Sequence, residues 1–167
     1  MSVTRRKFGK TKDGEPVTLY TITNKMGNSV SIMDYGATVQ SINIVDAEGE
    51  VIDCCLGYST VAEYEEHTDF MGACIGRVGN RIGGSSFSLN GQTYTLAANE
   101  GENHLHGGLK GFDKQMFKAR IDSDDTVTFG RISPDGEEGY PGEFMFIVRY
   151  TFDECDNFVM NYTGWTN

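Results

Sequence analysis

Apolar positions along the chain recur mainly at a spacing of two. Val17, Leu19 and Thr21 alternate with more polar neighbours, and Val30 and Ile32 repeat the pattern. Such alternation sends successive side chains to opposite faces of a strand. Residues 37–44 read as a further strand, closed by the turn-forming stretch Asp46-Ala47-Glu48-Gly49, and 51–56 as another short apolar run. The clearest element is Phe87-Ser88-Leu89, then Asn90-Gly91, then Gln92-Thr93-Tyr94-Thr95-Leu96. Asn-Gly between alternating segments predicts a tight hairpin, because both turn residues take positive φ. β-Branched and aromatic content marks 126–132 and 144–152 as strands, and after a polar turn over 153–157 another strand starts at Phe158.

One helix is predicted. Thr60-Val61-Ala62-Glu63 has the spacing of a capping box, and Ala62 to Glu66 continue it for a turn or two. Glycine is abundant at 21 residues and proline scarce at three. Many short strands with glycine-rich turns predict an all-β sandwich or barrel rather than alternating strands and helices. No internal repeat, low-complexity linker or domain boundary interrupts the pattern. The last segment, Asn161-Tyr162-Thr163-Gly164-Trp165-Thr166-Asn167, stops in mid-pattern, with neither a charged tail nor a closing turn. A strand there presents an edge of the kind proteins normally protect.

Composition narrows the functions. The 167 residues are 38% hydrophobic and 23% charged, enough for one packed domain. A net charge of -10 argues against nucleic acid, an anionic membrane or a heavily phosphorylated substrate, and suits a neutral ligand. No apolar run reaches the roughly 20 residues that span a bilayer. Arg5, Arg6 and Lys7 near the start are not followed by the apolar stretch of a secretory signal. Cys54, Cys55, Cys74 and Cys155 fit neither a zinc knuckle nor an easy pair of disulfides. They are expected to be free, mostly buried thiols in a reducing cytosol.

Three clusters carry candidate chemistry. The first is Gly76-Arg77-Val78-Gly79-Asn80-Arg81-Ile82. Guanidinium and carboxamide groups are forked hydrogen-bonding groups that match neighbouring sugar hydroxyls, and Gly79 allows a close backbone approach. The competing reading is that Arg77 or Arg81 is ion-paired to one of the 24 acidic residues. The second is Asn103-His104-Leu105-His106-Gly107-Gly108. On a regular strand the two imidazoles face one side, a spacing that can bind metal, but no third ligand completes a set. His104 reads as a core-edge residue satisfied by backbone, His106 as functional, and His67 as a surface residue. The third is Ser133-Pro134-Asp135-Gly136-Glu137-Glu138-Gly139-Tyr140-Pro141-Gly142. Adjacent Glu137 and Glu138 invite a glycosidase-like carboxylate pair, yet neighbours on a turn-rich loop rarely aim at one atom, so a structural loop or site rim is expected.

Taken in order and register, these clusters resemble the aldose 1-epimerase (galactose mutarotase) family. The resemblance rests on residues 71–82, the Asn90-Gly91 hairpin, 94–99, 103–108, Gly111-Phe112-Asp113-Lys114 and 133–142. It runs from about Tyr35 to the last residue. Gly79 departs mildly from it, since many members carry alanine there. The resemblance implies a galactose mutarotase-like β-supersandwich with an open cleft, of which 1–167 is the N-terminal portion of a single domain. It implies a cytoplasmic isomerase that interconverts the α and β anomers of free hexoses such as galactose and glucose. The reaction is ring opening and reclosure by acid–base catalysis, with no metal or organic cofactor. Asn80, Arg81 and His106 are the implied substrate-binding residues. The proton-donor histidine and the base glutamate of the family have no counterpart in 1–167 and are expected beyond Asn167, so the chain alone is expected to fold poorly and be inactive. The implied partner is a small aldohexose, with no nucleic acid or membrane, the protein being a monomer or weak homodimer. Competing readings are a non-catalytic carbohydrate-binding module of the same fold, a hexose-6-phosphate epimerase, and a cupin-like metal enzyme built on His104 and His106.

Overall fold

The computed structural model describes residues 1–167. Five antiparallel strands form the first sheet in chain order: β1 (Ser2–Lys10), β2 (Pro16–Thr23), β3 (Ser29–Met33), β4 (Val39–Val45) and β5 (Val51–Asp53). Helix α1 (Val61–Glu66) follows. Two small pairs then build the site region: β6 (Arg81–Ile82) with β9 (His104–Leu105), and the hairpin β7 (Ser86–Leu89) with β8 (Gln92–Thr95). A second antiparallel sheet closes the chain: β10 (Lys118–Ser123), β11 (Thr126–Ser133), β12 (Phe144–Phe152) and β13 (Phe158–Thr166).

Period-two alternation in β2 and β3 is used on both faces. Tyr20, Ile22, Val30 and Ile32 pack against Val127, Phe129, Val148, Tyr150 and Phe152 of the second sheet. Val17, Leu19 and Met33, on the opposite face, pack against Val61 and Tyr64 of α1. Tyr20 meets Phe129 edge to face at 5.5 Å, and Phe129 meets Tyr150 at 5.7 Å. Each fully buried side chain of this kind contributes about 1.5–3 kcal/mol of transfer free energy, so the two-layer core dominates folding. The Tyr150 hydroxyl donates to the Ala37 carbonyl at 2.7 Å and lies 3.0 Å from the Cys74 sulfur, so the core's polar atoms are paired.

The predicted helix is capped as its sequence requires. Glu63 N–H donates to Thr60 Oγ1, and the Glu63 carboxylate accepts the Thr60 N–H at 2.9 Å. The Asn90-Gly91 turn has φ of 52° and 79°. Two predicted boundaries move: β4 starts at Val39 because Ala37 lies in a turn at φ 46°, and β5 ends at Asp53, leaving 54–56 outside it. The thiols are free, but only Cys74 is buried, whereas Cys54 and Cys155 are exposed. The expectation of mostly buried cysteines is therefore corrected. Cys54 follows the short outermost strand β5, and Cys155 sits in the polar turn before β13, and neither place has a layer over it.

Strands β1 and β10, outermost in their sheets, were not legible from alternation. β1 carries Arg5, Arg6, Lys7 and Lys10, and β10 carries Lys118, Arg120 and Asp122. Charged edges of this kind block further strand pairing. β13 differs. It pairs with β12 along its whole length, Phe144 opposite Thr166 to Phe152 opposite Phe158, and contains no charged residue. Its other edge is free, and Val159, Met160, Tyr162 and Trp165 are exposed. No helix is long and apolar enough to cross a membrane.

Candidate functional site

Strands β6 and β9 are only two residues long, pairing Arg81 with Leu105 and Ile82 with His104. Each is flanked by a non-glycine residue in the left-handed region, Asn80 at φ 64° and His106 at φ 52°. Such residues cost about 1–3 kcal/mol unless their surroundings fix them, and they concentrate where side chains must be aimed. Here a reciprocal pair fixes both. Asn80 N–H donates to His106 Nδ1 at 3.0 Å, and His106 N–H donates to the Asn80 carbonyl at 3.0 Å. Arg81 Nη1 donates to Asn80 Oδ1 at 3.2 Å, so Arg81, Asn80 and His106 form one connected chain of contacts. The structure thus brings together all three residues singled out in the sequence. The Phe70 ring meets the imidazole edge to face at 4.8 Å.

The histidine spacing does not produce a shared face. The left-handed backbone at His106 ends the strand, and the two imidazoles take unrelated partners. His104 is fully buried; its Nδ1 lies 2.8 Å from the Ala97 carbonyl and its Nε2 lies 2.8 Å from the Tyr140 hydroxyl. A carbonyl can only accept, so His104 carries its proton on Nδ1 and receives one from Tyr140 on Nε2. His106 has the opposite tautomer when neutral: Nδ1 accepts from a backbone amide, which leaves Nε2–H as a donor. No group of three or more His, Cys, Asp and Glu side chains converges as a metal site. His67 is exposed at the end of α1, stacked on Tyr58 at 4.6 Å.

The two arginines differ. Arg81 forms a two-pronged ion pair with Glu100, at 3.0 Å from Nε and 2.7 Å from Nη2. That hydrogen bonding raises the Arg81 pKa and lowers that of Glu100. The Arg81 side chain remains 51% exposed, so solvent and ligand can compete for it. The ion pair offered as the competing reading is thus formed by Arg81, with Glu100 as its acidic partner, while Phe70 is a neighbour that no sequence signal marked, because it meets the imidazole from a separate loop. Arg77, also offered as a sugar-binding group, instead faces inward. Its Nε donates to Ser133 Oγ, Nη1 to the Pro141 and Gly142 carbonyls, and Nη2 to the Ser133 and Pro134 carbonyls, all at 2.7–3.0 Å. Its donors are committed to the loop rather than to an ion pair. Burial lowers its pKa against the attraction of Glu137.

The loop 133–142 is structural, as its composition predicted. Glu137 is held by Arg131 at 2.7 and 2.8 Å and bonds Ser133 Oγ. Glu138 accepts the Leu109 and Lys110 amides at 2.9 and 3.0 Å. The two carboxylates serve different partners, so no glycosidase-like pair forms. The sequence also placed close backbone contact at Gly79, but a Cβ there would meet only Ile75 Cγ2 at 3.8 Å. Gly107 does need glycine: it has φ 91°, and a Cβ would lie 1.6 Å from the Gly76 carbonyl oxygen.

Beside this patch is a cavity of about 290 Å³ lined by Phe70, Asn99, Glu100, Leu105, Asp113 and Lys114, among others. It adjoins the patch through Phe70 and Glu100. A larger hollow of about 490 Å³ lies against the second sheet, where Met116, Ile132, Met145 and Ile147 line it. Asn80, Arg81 and His106 line neither cavity.

Residues 18–166 match the family model described as aldose 1-epimerase. The chain is 40% identical over 162 residues to galactose mutarotase of Sus scrofa, covering 97% of this chain and 47% of that protein. It is 37% identical over 150 residues to aldose 1-epimerase of Escherichia coli (strain K12), covering 90% and 43%. Among solved structures it resembles galactose 1-epimerase from Lactobacillus acidophilus, with a TM-score of 0.83 at 25% identity, covering 99% of this chain and 49% of that one. An aldose epimerase homologue from C. elegans gives a TM-score of 0.83 at 28% identity, covering 88% and 45%. The chain therefore spans about half the length of the relatives it matches.

Proposed function

Because the chain belongs to the aldose 1-epimerase family, we propose that it supplies the hydroxyl-gripping part of a site that interconverts the α and β anomers of free hexoses. The observation that carries this reading is the contact chain Arg81–Asn80–His106 on one exposed face. Arg81 offers guanidinium donors, Asn80 a carboxamide, and His106 an Nε2–H; together they match adjacent oxygens of a pyranose. His106 faces a hydroxyl or the ring oxygen and donates to it. Arg81 exchanges its exposed carboxylate partner for sugar hydroxyls, while Phe70 holds the imidazole plane. Ring opening also needs an acid and a base. Glu100 is a poor base while it is paired to Arg81, and Glu137 and Glu138 are committed to the loop. No proton-transferring role is therefore assigned to Glu100, Glu137 or Glu138.

The relatives named galactose mutarotase and aldose 1-epimerase support free galactose or glucose over a hexose 6-phosphate. Lys114 Nζ, the cation lining the adjoining cavity, is committed to the Tyr64 and His67 carbonyls. Titration of the chain with galactose, followed by amide and side-chain chemical shifts, tests the reading. Saturable shifts confined to Asn80, Arg81, His106 and their neighbours are expected, and their absence refutes it. Polarimetry on freshly dissolved α-galactose is expected to give the buffer rate with this chain alone. A faster rate would place the acid and base within 1–167.

A further inference from the structure

Resting on this sugar-binding reading, we propose that Asn99 is a positioning residue for His106, acting through the main chain of the turn that carries the imidazole. The half-buried Asn99 carboxamide makes three hydrogen bonds to that turn. Leu105 N–H donates to its Oδ1 at 2.7 Å, and its Nδ2 donates to the Leu105 and Gly108 carbonyls at 2.9 Å each. These anchors bracket His106 on both sides.

The turn needs such an anchor. His106, Gly107 and Gly108 lie in succession at φ of 52°, 91° and 113°. Glycine adopts such angles freely and histidine does not, so local preference does not hold the imidazole in this orientation. The carboxamide fixes the turn from beneath, and the Asn80 amide meets it from the other strand. The imidazole is then presented with Nδ1 facing an N–H group, which fixes the neutral proton on Nε2 and aims that donor away from the turn. Position 99 requires one acceptor and two donors on one planar group. Asparagine provides them, and aspartate, of the same shape, provides no donor.

Long-range ¹H–¹⁵N imidazole spectra of the 167-residue chain, recorded above the ordinary histidine range of about 6.5, read the tautomer directly. The unaltered chain is expected to show His106 as a single Nε2–H form and His104 as Nδ1–H. In Asn99→Ala and Asn99→Asp, His106 is expected to become a tautomer mixture, and galactose affinity to fall about tenfold as two donors are lost. His104 should keep its Nδ1–H form, reporting an intact fold. A folded variant that keeps a pure Nε2–H signal overturns the proposal, as does lost affinity with an unchanged tautomer. Should both variants unfold, exchange of the Asn99 side-chain amide in the unaltered chain decides. Slow exchange is expected, and exchange as fast as that of an exposed asparagine overturns the proposal. If the unaltered chain binds no galactose, the functional reading fails while the tautomer test remains valid.

Discussion

Arg77 and Arg81 lie in one short segment, and their surroundings put the same side chain to opposite uses. Arg77 points inward and gives its donors to five acceptors in loop 133–142, four of them main-chain carbonyls. Arg81 points outward and holds one exposed carboxylate. A guanidinium whose donors are spent mainly on backbone is part of the scaffold, because removing it strands several polar groups at once. One that holds a solvent-exposed carboxylate loses little by changing partner, since such pairs are weak in water. The difference follows from burial, and it separates the supporting loop from the exposed face proposed to meet the sugar.

The largest effect that probes this contrast is expected from Arg77→Ala, which should lower stability in urea unfolding by about 3 kcal/mol. Arg77→Lys should recover little, because an ammonium cannot reproduce the planar fork. A loss below about 0.5 kcal/mol, the size ordinary for surface substitutions, would erase the distinction from Arg81. The next effect is a pH dependence in the same loop. Burial pushes the Glu137 carboxyl up, but hydrogen bonds from Arg131 and Ser133 and the charges of Arg131 and Arg77 outweigh it, so its pKa is lowered. Its contribution is therefore fully present above the unfolded-state value of about 4.3 and fades as pH falls through the lower folded value. Urea midpoints measured from neutral to acid pH should drop more steeply in the native chain than in Glu137→Gln. Parallel curves would remove Glu137 from the clamp. Buried Asp34 and Asp113, whose values are raised mainly by burial, contribute the opposite slope and remain in both proteins. The smallest stability effect is expected from Arg81→Ala, whose unfolding midpoint should match the native one while galactose-induced shifts disappear. A large loss of stability with retained sugar shifts would reverse the roles of the two arginines.

The imidazoles make the same point. The sequence presents His104 and His106 as a pair two residues apart, and a regular strand would face them together. Left-handed backbone at His106 separates them, one into the core beside Tyr140 and the other onto the surface beside Asn80. Asn80, Arg81 and His106 could be grouped from the sequence because their motifs match a known pattern, and the structure places them in contact. Glu100 and Asn99 could not, since a carboxylate and a carboxamide acquire their meaning only from the partners the fold brings to them.

The sequence by itself determined the strands whose two faces meet different layers, the capping box at Thr60 and the hairpin turn at Asn90-Gly91. Each is written within a few residues, as a period or as a turn chemistry, so no distant partner is needed to read it. Tertiary structure alone decided the edge strands β1 and β10, whose polar residues form strands because a neighbouring backbone offers hydrogen bonds. It also decided which arginine and which histidine turn inward and which stay at the surface, because direction and burial are set by residues far apart in the chain.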